Sequence, residues 1–483
     1  MEKIISYRIV LNVLSRNLFI SSGALAACAL VAVIFDEPVR PFIISSLVVF
    51  IPGLIFYFFT HLSIQNITIQ RREAYLTVTL SWIVLGLTGA IPYLLSNTIP
   101  EFTDAIFESV SGFTTTGSSI LTDIESLPKS ILFWRSLTHW IGGIGIIVLV
   151  IVVMPSLHIG SYHLFTMESS LQDKIQAKIK EVGKRLLIIY ISLTAAQTVF
   201  LLLGGMSVFE SLCHAFGTIA TGGFSPKNDS IAGYSPYIQY VVMIFMVLAG
   251  MNFAIHYYLF KREFKKVHDN EELKFYLICI LIIGTFITGS LILDSGKTPE
   301  NAFRESFFQV ISIITCTGFA TADYMEWQPY AWLTIFFAMF LGGSTGSTAG
   351  GIKMIRHLLL FKNIHKNFKQ MIFPNAIILL KLNKSTINDE TNNSILSYII
   401  SYFVVFAIGS FSLILLGVDG QTALSSVATC MAGIGPGIGS VGPAGNFAHL
   451  SDVVKLILSF LMIVGRLEIY TILILFTGSY WKN

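Results

Sequence analysis

Four short stretches rich in threonine and glycine recur along this 483-residue chain: TTTGSS at 114–119, TIATGGF at 218–224, TCTGFAT at 315–321 and IGPGIG at 434–439. Aligned on Gly117, Gly222, Gly318 and Gly435, they return about every 100 residues, which marks an internal repeat. Backbone carbonyls and threonine hydroxyls are neutral oxygen donors, and rings of carbonyls can replace the hydration shell of an alkali cation. A glycine there lets the backbone take φ > 0 and turn its carbonyl toward a common axis. The chemistry this predicts is coordination of a small, dehydrated cation. The fourth stretch departs from the others: it has Ile434-Gly435-Pro436 where they have T-x-G or T-G, so it is expected to bind the ion asymmetrically.

Other chemistries find fewer residues. The chain has no HExxH, GxSxG or paired-Asp motif, so an intramembrane enzyme built on His139, His214 or His256 is the weaker reading and no catalytic residue is expected. No His, Cys and carboxylate cluster has transition-metal spacing. Cys28, Cys213, Cys279, Cys316 and Cys430 form no CxxC pair and read as packing residues. LAAC at 25–28 resembles a lipoprotein cleavage box, but the apolar run continues past it and processing is not expected. No organic cofactor and no nucleic acid is expected.

The elements that must carry these loops are membrane helices. Only 12% of the residues are charged, 54% are hydrophobic and the mean hydropathy is +0.72, whereas soluble domains carry about 25% charge. About ten apolar segments approach the ~20 residues a helix needs to cross a bilayer: 18–35, 41–61, 74–95, 130–154, 184–204, 235–260, 273–293, 328–360 with a break, 394–417 and 450–478. Threading them with the N-terminus inside places most of the 31 Lys and Arg on the cytoplasmic side, as the positive-inside rule requires; the C-terminus is then also inside.

Between alternate pairs of spans lies a segment too short to cross, opening with Asp104, Glu210, Glu305 or Thr422 and running into its threonine and glycine loop. Each unit therefore reads span, half-helix, loop, span. Irregular backbone at membrane depth is tolerated only where it is buried or lines a wet cavity, so four such loops around one axis form a pore lining. The expected fold is an all-α polytopic membrane protein: four pseudo-symmetric helix, pore helix, helix repeats around a central pore, with two extra N-terminal transmembrane helices. The expected boundaries are 1–70 for the extension and 71–170, 171–265, 266–385 and 386–483 for the repeats.

A further run, GGSTGSTAGG at 342–351, has neither a GxxxxGK[ST] nor a GxGxxG register, so it is not a phosphate cradle. Ten apolar residues precede it, about 15 Å of helix or half a bilayer, so a linker there would strand the chain in lipid. It reads as a break inside the second span of the third repeat.

Charged residues inside spans are costly and usually face a cavity or a partner. Arg466, near Glu468, is assigned such a functional position. Arg135 and His139 share a helix face and are read as interfacial anchors near the outer end, with proton coupling by His139 as the alternative. His214 is read as a packing residue.

Taken in order, TTTGSS, TIATGGF, TCTGFAT, IGPGIG, HWIGGIGI at 139–146, the run at 342–351 and GRLEIYT at 465–471 resemble the Trk/Ktr/HKT potassium-transporter superfamily, and within it the bacterial TrkH type. The resemblance spans essentially the whole chain. It implies potassium as the transported ion, held by filter carbonyls at Thr114, Thr115, Thr116 and Gly117; Ile219, Ala220, Thr221 and Gly222; Thr315, Cys316, Thr317 and Gly318; and Gly433, Ile434, Gly435 and Pro436. It implies a gate made by Gly342, Gly343, Ser344, Thr345, Gly346, Ser347, Thr348, Ala349, Gly350 and Gly351 with Arg466 beside it. It also implies a homodimer in the bacterial inner membrane, seated on a cytosolic nucleotide-binding ring, TrkA. Relatives with serine at the first filter glycine prefer sodium, and here that residue is Gly117. The alternatives are a sodium-permeable or ion-coupled symporter and, more remotely, a carrier for an organic anion, which would want half-helix N-termini rather than C-termini at the site.

Overall fold

The computed structural model describes residues 5–61, 70–152 and 175–482. The expected boundary at 170/171, the end of the expected 130–154 span and Lys174 lie outside the described residues.

The chain opens with a helical hairpin, α1 (Tyr7–Ile34) and α2 (Arg40–His61), both apolar enough to cross a membrane. Small residues let the two approach: Ser22 Oγ and Ser46 Oγ lie 2.9 Å apart, and each hydroxyl also donates to the other serine's carbonyl at 3.0 Å. The hairpin packs on the first repeat.

Each repeat then runs as expected. The first has α3 (Arg71–Gly89) continued by α4 (Ile91–Leu95), the short α5 (Phe102–Phe113) and α6 (Lys129–Val152). The second has α7 (Ile175–Leu203), α8 (Val208–Ile219), α9 (Pro236–Gly250) and α10 (Phe253–Phe260), followed by a single turn, α11 (Phe264–His268). The third has α12 (Glu271–Ser295), α13 (Pro299–Ile314), α14 (Pro329–Ala338) and α15 (Met354–Ile372). The fourth has α16 (Asp389–Leu415), α17 (Gly420–Ala432), α18 (Asp452–Arg466) and α19 (Ile469–Leu473), with α20 (Gly478–Trp481) at the end. Between the third and fourth repeats a two-residue hairpin pairs Lys381–Leu382 with Ser385–Thr386 through Asn383 and Lys384, both with positive φ, the I′-type turn such hairpins favour.

Six described helices are singly long and apolar enough to span, and the pairs α9/α10 and α18/α19 qualify together. The 24-residue α6 and the interrupted pair α14/α15 occupy the sequence positions of the remaining two expected spans. Continuity is where expectation and structure part. The segments 235–260 and 450–478 read as unbroken spans, yet they bend by 102° at Met251–Asn252 and by 112° at Leu467–Glu468. Asn252 restarts its helix by accepting from the Ala254 amide at 2.9 Å. Glu468 turns the chain with φ +55°.

Side-chain caps start three of the four pore helices; the first, after Glu101, has none. Ser207 caps α8 through the Glu210 amide, Thr298 caps α13 ahead of Pro299, and Asp419 accepts from Gln421 and Thr422 at the start of α17. Asp104, Glu210 and Thr422 fall near the helix start as expected. Glu305 does not: α13 begins at Pro299, and Glu300 is its first-turn acid.

Candidate functional site

All four pore helices end in one kind of turn. In the first, the Thr115 amide donates to Gly112 O and the Thr116 amide to Ser111 O, a Schellman closure that puts Thr115 at φ +54° and Gly117 at φ +82°. The second repeats it with Thr221 at +53° and Gly223 at +83°, the third with Cys316 at +55° and Gly318 at +80°. In the fourth, Gly433 at +69° and Gly435 at +102° take those places, and Ile434 N bonds Thr429 O. Left-handed conformation is uncommon for threonine and cysteine, and such residues cluster at functional sites.

This conformation corrects the register of two loops. The counterpart of Gly117 in the second repeat is Gly223 rather than Gly222, so the equivalent residues are Ala220, Thr221, Gly222 and Gly223. Ile219 is instead the last residue of α8, and its carbonyl accepts Thr348 Oγ1. In the fourth the equivalents are Ala432, Gly433, Ile434 and Gly435; Pro436 lies one step beyond, its carbonyl accepting Thr429 Oγ1. In the first and third loops the equivalent residues are Thr114 to Gly117 and Thr315 to Gly318.

The four glycines interlock in a ring. A side chain on Gly117 would run into the Gly222 carbonyl oxygen, one on Gly223 into that of Thr317, one on Gly318 into that of Ile434, and one on Gly435 into that of Thr116. Each loop thus lays one carbonyl where the previous repeat has no side chain, and the fourth closes on the first. The threonine hydroxyls are partly occupied within their own loops: Thr114 with Thr116, and Thr315 with Thr317, each at 2.8 Å. The fourth loop, expected to differ through its missing threonine, makes the same backbone turn.

A shell of buried polar groups holds this ring. Arg135 is not an interfacial anchor: it is 1% exposed, donates to Glu108 at 2.8 Å and to Ser225 O at 3.2 Å, and stacks on Phe224 at 4.0 Å. Glu108 in turn accepts from Ser119 Oγ and the Ile120 amide just beyond the first threonine and glycine loop. His139 is fully buried, with Nδ1 2.7 Å from Gly112 O and Nε2 accepting the Phe224 amide at 3.1 Å. Those partners fix the neutral tautomer protonated at Nδ1 and tie the first pore helix to the second loop, which leaves neither ring nitrogen for a proton relay. His214 packs as expected, between Glu210 O and Ser225 Oγ.

The break at 342–351 packs against the C-terminal ends of the pore helices. Leu341 bridges Ile352, and the Gly342 amide donates to Ile352 O at 3.0 Å, so the run returns on itself between α14 and α15. Ser344 N donates to Gly250 O at 2.8 Å, Phe253 N to Gly346 O at 3.1 Å, and Thr345 N to Glu272 at 2.6 Å. Thr348 Oγ1 reaches Ile219 O at 2.9 Å, and Gly350 abuts the Ala432 carbonyl, both at pore-helix C-termini. Arg466 donates to Thr348 O at 2.9 Å and to Gly142 O at 3.0 Å, while Lys353 bonds Ala349 O. Glu468 does not pair with Arg466; its partner is Arg356.

Comparison with known proteins decides the family. The TrkH cation transport protein family matches residues 44–483. The chain belongs to the TrkH family. Among TrkH relatives, the Trk system potassium uptake protein TrkH of Salmonella typhimurium is 36% identical over 99% of this chain and all of its own length. TrkG of Escherichia coli is 33% identical over 87% of both chains. The crystal structure of the potassium transporter TrkH from Vibrio parahaemolyticus superposes with a TM-score of 0.90 at 31% identity, covering 99% of this chain and all of that one. These TrkH-type relatives are transport proteins, not enzymes.

Several TrkH-site residues were not singled out from sequence. Gly223 stands in a Gly-Gly pair that offers two registers, and only the turn geometry chooses between them. Glu108 lies in a short amphipathic helix with no motif, and Glu272 stands beside Glu271 in the first turn of an apolar span, where an acid reads as an ordinary helix start.

Proposed function

We propose that this protein carries potassium into the cell across the bacterial cytoplasmic membrane, through a filter formed by the four loops. The ring of Gly117, Gly223, Gly318 and Gly435 against the Gly222, Thr317, Ile434 and Thr116 carbonyls is the observation that carries the reading. Carbonyls from four directions around one axis supply neutral oxygens to a dehydrated monovalent cation. The ring's loops follow the C-termini of the four pore helices, the negative ends of their dipoles, which favours cations and disfavours the organic-anion alternative.

On this reading the filter ligands are Thr114 to Gly117, Ala220 to Gly223, Thr315 to Gly318 and Ala432 to Gly435. The loop 342–351, with Arg466 bonded to it, is the gate. A homodimer seated on a cytosolic TrkA-type ring completes the proposal; the family resemblance supports both, and the basic α15 gives such a ring a charged face to meet. Both chain termini are assigned to the cytoplasm, on the lysine and arginine distribution.

Rubidium or potassium uptake in cells lacking other uptake systems tests the function. Restored growth and uptake at low potassium are expected. Unchanged uptake, from a protein shown to reach the membrane, would refute it.

A further inference from the structure

Arg466, bonded to the loop, sits beside an ion pair that neither pore nor filter explains. Two residues on, Glu468 stands at the 112° bend between α18 and α19 with φ +55°, a conformation a glutamate keeps only when its surroundings hold it there. Its carboxylate accepts from Arg356 Nη2, with the two side chains 11% and 3% exposed. The Arg356 guanidinium also lies over the Tyr398 ring of α16 at 3.7 Å. Arg356 belongs to the first turn of α15, the helix that leaves the loop 342–351, and its amide bonds Lys353 O at 2.9 Å.

These contacts close a circuit. The loop leads to the first turn of α15, Arg356 reaches Glu468, the bend carries Arg466, and Arg466 returns to Thr348 of the loop. The two halves of the loop are held differently. Ser344 to Gly346 are bonded through backbone atoms to Gly250, Phe253 and Glu272. Thr348 and Ala349 are held by the side chains of Arg466 and Lys353 and by the Thr348 hydroxyl. Ser347 is tied to the first half through the Ser344 carbonyl, so the side-chain-held part begins at Thr348.

We propose that the Arg356–Glu468 ion pair is a positioning pair that keeps Arg466 on the Thr348 carbonyl, so that residues 348–351 are the part of the loop freed when the pathway opens. The inference rests on the cation-pathway reading above. A pair this buried is little screened and directional, and its loss would let the unwound Leu467–Glu468 link reorient the end of α18. Because α15 continues toward the cytoplasmic side, displacement of its first turn would reach the loop twice, along the chain and through Glu468.

The test is resting rubidium flux through the full-length protein in liposomes, for the parent, Glu468→Gln, Arg466→Ala and the double variant. Glu468→Gln is expected to raise resting flux roughly fivefold or more, the scale of a typical coupling between sites, and to add nothing once Arg466 is gone. A merely structural pair would lower the yield of folded protein without this dependence on Arg466. Should Glu468→Gln fail to fold, Arg356→Lys replaces it, since lysine keeps the charge but loses the planar, stacked contact; the same rise is expected. The proposal is overturned if the folded variant leaks no more than the parent, or if its effect multiplies with that of Arg466→Ala. Absence of rubidium flux in every variant would sink the transport reading and the pair's role together, whereas a rise in Arg466→Ala alone overturns only the pair.

Discussion

At Gly117 the backbone does what a side chain would prevent: φ is +82°, and the space where a Cβ would project holds the Gly222 carbonyl oxygen. Gly117→Ser forces that carbonyl to shift and adds a hydroxyl at the ring. Preference for potassium over sodium in a competition uptake assay should fall about tenfold, equivalent to ~1.4 kcal/mol of differential binding. Unchanged selectivity would remove this loop from the ligand set. The buried Arg135 and Glu108 make a second prediction at this scale. Arg135→Met leaves Glu108 without its charged partner and should destabilise the protein by about 3–5 kcal/mol in a detergent unfolding titration, with Arg135→Met/Glu108→Leu losing less than the sum of the single changes. The threonine and glycine loops were legible because their chemistry is local. The burial of Arg135 is not legible in the sequence, because its position in an apolar helix says only that it needs a partner or water, and Glu108 becomes visible as that partner only when α5 packs on α6.

The elements explain what the loops cannot do alone. Each pore helix ends with an αL residue that lifts the following carbonyl out of the helix direction, and three of the four use Thr or Cys there instead of the usual glycine. The break at 342–351 was legible from its glycines, since no helix runs through such a sequence unless something else packs it. The bends at Asn252 and Glu468 were not, because apolar composition continues across them and a hydropathy pattern carries no information about direction. If the loop is the gate, deleting Gly346 to Thr348 removes the Thr348 contacts to Ile219 and Arg466 and should raise resting rubidium flux several-fold in liposomes; lower flux from inserted protein would contradict the assignment. Asn228 bonds Asp123, and Lys227 pairs with Glu125 at 3.0 Å, linking the segments that follow the first and second threonine and glycine loops. These bonds hold both carboxyls below the ordinary carboxylate range: Asp123 chiefly through Asn228, Glu125 chiefly through Lys227. A depressed folded pKa gives stability present above the ordinary carboxylate range and lost as pH falls through the folded value. Hydrogen exchange of residues 121–128 and 226–230 should therefore stay constant from about pH 8 to pH 5 and accelerate, beyond its intrinsic pH dependence, only below about pH 4.

At the scale of the whole molecule, four unequal sequences build one closed ring. Repetition at about 100-residue intervals was enough to infer the helix, pore helix, helix architecture, because each unit alone has irregular backbone that only its neighbours can bury. Membership of the TrkH family and a TM-score of 0.90 to the Vibrio parahaemolyticus structure agree with that architecture. The identity of the loop residues that meet was not recoverable to single-residue accuracy, since a one-residue slip in a Gly-Gly or Gly-x-Gly run leaves the composition unchanged. The carbonyls of Thr116, Gly222, Thr317 and Ile434 are expected to hold a monovalent cation on a shared axis. Anomalous scattering from crystals grown with thallium in place of potassium tests it directly. A thallium peak on the axis, within coordination distance of those four oxygens, is the predicted result. Bound thallium found only away from the ring, with its axis empty, would contradict it.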